Sequence, residues 1–111
     1  MLFVGEKRSE LAKKMKVTWK DGKLAAKQLF DALRANGVDP EDCEFANWWE
    51  SRKRNYIRNY QGRIFAMGQL VQNALAAEGI KHTPIVHPAA RGKIRKKERY
   101  IQHIKEALMD A

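Results

Sequence analysis

Short apolar runs alternate along this chain with longer stretches in which apolar residues recur at helical spacing. Leu2, Phe3 and Val4 form the first run, and the polar turn Gly5-Glu6-Lys7-Arg8-Ser9 follows at once. The run predicts a strand over 2–4, and Ser9 stands where it can cap a short helix over 10–16. Residues 15–21 show no period and carry Trp19 among polar neighbours. Ala26, Leu29, Phe30 and Leu33 repeat at i, i+3, i+4 and i+7, which predicts a helix over 22–36 stopped by Asn36-Gly37. Asp39-Pro40-Glu41-Asp42 reads as a single turn with proline in its first position. A second strand is expected over 43–48 and a further helix over 51–60.

The most regular stretch is 63–99. The apolar run 64–67 ends on Gly68, and Leu70, Val71, Ala74 and Leu75 then share one helical face until Gly79. The run 83–86 is rich in β-branched residues. It stops at His87-Pro88, because proline brings no N–H to a sheet ladder and restricts the residue before it. A last helix is expected over 93–109, with Ile94, Ile101, Ile104 and Leu108 as its buried stripe. The order β-α-β-α-β-α-β-α predicts one α/β domain over residues 1–111, a three-layer αβα sandwich with a four-stranded parallel sheet. The polar loops 5–9, 47 onward and 87–92 are then expected on one edge. That is the carboxyl edge of the strands, where ligands of open α/β sheets sit.

Charge changes this picture more than the rest of the composition does. Lys and Arg number 22 against 13 Asp and Glu, a net charge of +9. A clustered surplus on a small domain points to a polyanion such as DNA, RNA or an anionic membrane, with a merely solvated surface as the plainer account. Arg91, Lys93, Arg95, Lys96, Lys97 and Arg99 crowd the amino end of the expected last helix. Cations there oppose the helix dipole by roughly 0.3–1 kcal/mol each, so the crowding makes better sense if phosphates gather at that end. The stretch 51–60 mixes Arg52, Lys53, Arg54 and Arg58 with Tyr56, Ile57 and Tyr60. That mixture suits nucleic acid and an ordinary amphipathic surface helix equally. Cys43 is the only cysteine, which excludes an internal disulfide and an all-cysteine metal site and agrees with a reducing, cytoplasmic setting. No apolar run approaches the roughly 20 residues of a membrane span, and residues 1–4 are too short for a signal peptide. A monomer with no membrane partner is expected.

Five segments carry a further likeness. They are Phe3-Val4-Gly5-Glu6, Thr18-Trp19 ahead of Gly22-Lys23, Glu44-Phe45-Ala46-Asn47, Ile64-Phe65-Ala66-Met67-Gly68, and His87-Pro88-Ala89. Their order and spacing resemble the uracil-DNA glycosylase superfamily, nearest its iron–sulfur-containing bacterial and thermophilic type. The first segment is similar to that family's strand followed by Gly-Glu-Ala-Pro-Gly, the third to its strand ending in Thr-Asn, and the fourth to its Val-Ala-Leu-Gly turn. The last resembles the motif whose histidine borders the cleaved bond. The resemblance implies that fold and a glycosylase that hydrolyses the bond to uracil, or a related damaged base, flipped out of single- or double-stranded DNA. His87, Glu6 and Asn47 would be catalytic. His87 would stabilise the oxyanion on the departing base, and Glu6 would orient a water. Trp19 would stack on the base, Asn47 would read its polar edge, and Gly5 would line the site. Arg91, Lys93, Arg95 and Lys96 would grip phosphates.

The sequence departs from that pattern at Lys7-Arg8-Ser9, which replace Ala-Pro-Gly, and lysines replace the acidic run that follows. The cluster cysteines are absent, so no cofactor and no metal are expected. A second reading is therefore a DNA-binding protein on the same fold without catalysis. A third, a nucleotide-processing α/β domain, lacks a Gly-rich phosphate loop. Each site residue also has a plainer role: Trp19 as a lid over the core, Asn47 as a turn cap beside Trp48-Trp49, Glu6 as a surface acid, His87 as a strand cap.

Overall fold

The structure, a computed structural model, describes residues 1–110. Four strands form one sheet: β1 (Leu2–Gly5), β2 (Glu44–Asn47), β3 (Ile64–Met67) and β4 (Thr83–Ile85). All pairings are parallel and the strand order is β2-β1-β3-β4. The runs 2–4 and 64–67 are buried along their whole length, because a parallel sheet with helices on both faces covers both sides of its central strands.

The side chains divide by parity. Phe3, Phe65, Met67 and Ile85 face one layer with Leu29 and Leu33 of helix α2 (Ala25–Ala35) and Tyr100 and Ile104 of helix α5 (Lys97–Met109). Phe3 and Phe65 stack there with ring centroids 4.7 Å apart. Leu2, Val4, Ala46, Ile64 and Ala66 face the other layer with Ile57 of α3 (Arg54–Arg58) and Val71 and Leu75 of α4 (Gln69–Ala77). The three-layer sandwich and the four-stranded parallel sheet therefore stand as the alternation implied. A short helix α1 (Glu10–Met15) follows β1 and buries no residue. Ser9 caps it, its hydroxyl accepting the Ala12 N–H at 3.1 Å.

Three elements differ from the sequence pattern. The helix expected over 22–36 begins only at Ala25, because Gly22 (φ 63°) and Leu24 (φ 57°) both hold left-handed backbone ahead of it. The stretch 51–60 is a 3₁₀ turn, Ser51–Lys53, leading into the short α3. The helix expected from 93 is broken. A 3₁₀ turn, Lys93–Arg95, comes first, and Lys96 is extended before α5 starts. The break has a tertiary cause, since Gln28 of α2 donates to the Arg95 carbonyl at 3.0 Å while Ile94 packs against the core. Ile104 of the expected stripe is buried, while Ile101 and Leu108 are half-buried against the core and the neighbouring Tyr100 and Ala107 take the fully buried positions.

The strand order fixes where a ligand can enter. The connection that leaves β1 runs to β2 on one side and the connection that leaves β3 runs to β4 on the other, so the two diverge at the carboxyl ends of β1 and β3. Gly5, Asn47 and Gly68 lie on that edge, with Gly5 paired in register to Asn47.

Candidate functional site

Gly5 ends β1 beside Asn47, and Trp19 closes over both. Trp19 sits in a 3₁₀ turn, Trp19–Asp21, bounded by Thr18, whose N–H donates to the Asp21 carboxylate at 2.6 Å, and by left-handed Gly22. Lys20, in the same turn, donates to the Cys43 carbonyl and so ties the turn to the start of β2. The Trp19 indole N–H donates to Asn47 Oδ1 at 2.8 Å, and Asn47 Nδ2 donates to Glu50 Oε1 at 3.2 Å. Asn47 is buried, 5 % exposed, and both ends of its amide are engaged. An amide has four hydrogen-bonding positions, so one lone pair and one N–H are left over. The contact also explains Gly5. A methyl group there would stand 2.7 Å from Asn47 Oδ1 and 3.0 Å from the indole ring.

His87 reaches the same place from β4, lying over Gly68, where a Cβ would meet its own at 3.6 Å. Its ring is 6.2 Å from that of Trp19, tilted by 58°. The Ala89 N–H donates to His87 Nδ1 at 3.0 Å, so the proton of the neutral ring sits on Nε2. Burial holds the imidazole below its ordinary pKa, and the Glu6 carboxylate pulls weakly the other way. Helix α5 fixes the approach to His87 by taking both main-chain groups of Val86. The Tyr100 hydroxyl donates to the Val86 carbonyl at 2.8 Å, and the Val86 N–H donates to His103 Nε2 at 2.9 Å.

A pocket of about 250 Å³ opens beside Trp19 and His87, walled by Leu11, Val17 and Leu24 and by the cations Lys7, Arg8 and Lys23. That is smaller than the roughly 300–1,000 Å³ of a drug-sized site and suits a single planar ring system. Leu24, Ala25 and Ala89 are shared with an adjoining hollow that also holds Arg95, so this cation lies next to the pocket without lining it. Arg91, Lys93 and Lys96 are exposed on the same segment but reach neither wall. Among the described residues the ion pairs are Lys13–Glu10, Lys27–Asp31 and Arg58–Glu78, so none of these four cations has an acidic partner. They precede α5 rather than occupying its first turn, because the chain breaks at Lys96.

The structure thus brings Trp19, His87, Gly5, Asn47 and Arg95 around one edge, with Glu6 half-buried beside them. It does not put Asn47, Gly5 or Glu6 on the pocket wall, since the Trp19 turn stands there instead. Sequence reasoning missed Tyr100 and His103, whose signal was two side chains able to hydrogen-bond, three apart on the inner face of the last helix. It also missed Lys7, Arg8 and Lys23 as a cationic wall. Among the described residues no three His, Cys, Asp or Glu side chains converge, and no helix is long and apolar enough to cross a membrane. Comparison with models of protein families, with curated proteins and with solved structures finds no match for this chain.

Proposed function

We propose that this protein binds DNA along the carboxyl edge of its sheet, draws an extruded base (uracil or a related damaged base) into the pocket beside Trp19 and His87, and hydrolyses its glycosidic bond as uracil-DNA glycosylases do. The observation that carries the reading is His87. Its neutral ring has Nδ1 occupied by the Ala89 N–H, which leaves Nε2–H as a donor at the wall of a one-ring pocket whose other walls carry unpaired cations. Breaking the bond between sugar and base sends its electrons to the base. A donor aimed at that developing charge lowers the barrier. The hydroxide portion of a water bonds to the sugar carbon while the departing base takes up the proton, and Glu6 is the acid at hand to orient that water. Arg95 and its neighbours, together with Lys7, Arg8 and Lys23, supply the phosphate contacts that extrusion needs.

The test is an abasic-site assay. A labelled oligonucleotide carrying one uracil is incubated with the protein and treated with alkali, with His87→Ala in parallel. Strand cleavage that disappears in the variant supports the enzyme. A second reading, a DNA-binding protein without chemistry, is favoured by the engaged Asn47 amide, which faces Trp19 rather than the pocket. No cleavage, with tight salt-sensitive binding, would leave that reading standing.

A further inference from the structure

The three tryptophans of this chain have different commitments. Trp19 gives its indole N–H to Asn47. Trp48 is buried at 4 % exposure, with the Arg54 and Arg58 guanidinium groups 5.1 and 5.5 Å from its ring centroid. Trp49 is 44 % exposed and, among the described residues, makes no ring pair, no cation contact and no side-chain hydrogen bond. Its backbone is nevertheless fixed. The Trp48 N–H donates to the Gly5 carbonyl at 2.8 Å and the Trp49 N–H to the Glu6 carbonyl at 3.0 Å, tying the turn after β2 to the end of β1. Trp49 is therefore an open aromatic face held on a rigid seat, on the same edge as the pocket and beside Glu6. Arg52 and Lys53 follow it, both exposed and both without an acidic partner among the described residues. Glu50, the acid adjacent to Trp49 in sequence, accepts from the Asn47 amide.

We propose that Trp49 is a second stacking station, and that the preferred ligand is therefore unpaired DNA rather than closed duplex. This rests on the DNA-binding reading of the edge given above. An indole face takes a base only if that base has left its own stack, and duplex bases are covered on both sides. A strand gripped by the segment 91–96 beyond β4 crosses the pocket, passes Glu6 and reaches Trp49 beyond β2. That path spans three inter-strand spacings, about 14 Å, enough for a few nucleotides. Its two ends are basic, and aromatic rings stand at the pocket (Trp19) and at the far end (Trp49), so the path offers a strand both phosphate and base contacts.

The test compares wild type, Trp49→Ala and Trp49→Phe for binding to a short oligothymidine and to a blunt hairpin duplex, at low and physiological salt, with the size of each protein in solution measured alongside. Trp49→Ala is expected to weaken oligothymidine binding about tenfold, from the stacking energy of one base. Hairpin affinity stays the same, and so does the salt slope, because stacking releases no counterions. Trp49→Phe keeps most of the affinity. Unchanged oligothymidine affinity in Trp49→Ala, an equal loss on both ligands, or a wild-type dimer that the variant dissociates would each overturn the proposal. Uracil release measured on the same proteins separates the two readings. Trp49-dependent binding without release removes the enzyme and leaves the station. Uracil release together with oligothymidine affinity that ignores Trp49 removes the station and leaves the enzyme. A wild type that binds neither ligand removes both.

Discussion

Substituting one methyl group tests the innermost part of the site. In Gly5→Ala the new Cβ would lie 2.7 Å from Asn47 Oδ1 and 3.0 and 3.1 Å from two atoms of the Trp19 indole. The first distance is one that neither atom tolerates, and Oδ1 has little freedom, since Trp19 holds it at 2.8 Å and Asn47 is buried. Two routes relieve the clash. If the amide turns away, a buried acceptor loses its partner, at about 1–3 kcal/mol. If the indole and β1 shift apart instead, overpacking costs about 1–3 kcal/mol. Either route predicts a loss of about 2 kcal/mol, or roughly 8 °C in melting temperature for a domain of this size. Urea unfolding followed by tryptophan fluorescence measures it, and a double-mutant cycle with Asn47→Ala identifies its origin. Asn47→Ala is itself destabilising, but it removes the atom that Gly5→Ala strikes and frees the indole to retreat. The double variant is therefore expected to be more stable than the two losses added, by about 1–2 kcal/mol. A Gly5→Ala protein within about 0.5 kcal/mol of wild type, or a strictly additive cycle, would refute the reasoning.

Three further outcomes follow from the same geometry. Leu24, at φ 57° and ψ −131°, holds backbone that favours glycine; Leu24→Gly is expected to raise stability by about 1 kcal/mol in urea unfolding while opening the pocket it walls, and a loss would show that its side-chain contacts outweigh the strain. Burial keeps His87 and His103 below their ordinary pKa, so as pH falls through about 6.5 the unfolded chain takes up protons that the folded one does not. The stability they contribute is complete above that pH and drains away below it. Urea midpoints between about pH 7.5 and about pH 5.5 should fall, and His103→Gln, whose amide oxygen can still accept the Val86 N–H, should flatten the fall. Neutralising Arg95 and Lys96 together is expected to reduce the salt slope of single-stranded DNA binding by about 1.4, from roughly 0.7 per phosphate; an unchanged slope would move the phosphate grip elsewhere.

The fold was legible because its central strands are buried on both faces. Leu2-Phe3-Val4 and Ile64-Phe65-Ala66-Met67 are continuous apolar runs, while the helices between them keep a clean 3.6-residue period. The break before α5 was not legible. Ile94 and Ile101 are seven apart, so a 3₁₀ turn and one extended residue leave the apolar phase intact, and only the Gln28 contact from 67 positions earlier reveals the interruption. On α5 the expectation held for Ile104 but missed Tyr100, for a related reason. Tyr100 can be buried because Val86 offers its hydroxyl a carbonyl, a partner that no window on the last helix contains. At the site, Gly5, Asn47 and His87 could be expected on one edge from the alternation of elements, whereas Trp19 was expected there only from the family resemblance. The hydrogen bond between Trp19 and Asn47 joins residues 28 apart and depends on which way an indole points, which no local pattern encodes.

That bond also divides the enzyme from the binder. Reading the edge of a base needs a free donor and a free acceptor on Asn47, and each still has one position left. Yet the indole is seated on Gly5 between the amide and the pocket, so a base entering the pocket meets Trp19 first. A buried hydrogen bond is worth about 1 kcal/mol net, while stacking a base on an aromatic ring returns about 1–3 kcal/mol. A bound base can therefore displace the indole from Asn47 and recruit the amide. Trp19→Phe decides whether it does, because phenylalanine keeps a stacking face but cannot donate to Oδ1. If Asn47 reads the base once released, the variant frees the amide beforehand, and uracil release in the abasic-site assay should hold or rise while stability falls by about 1 kcal/mol. If Asn47 acts only by fixing the plane of Trp19, the ring loses its anchor and release should fall several-fold with little change in DNA affinity. A variant that releases uracil at the wild-type rate with wild-type stability would mean that the bond between Trp19 and Asn47 carries neither role.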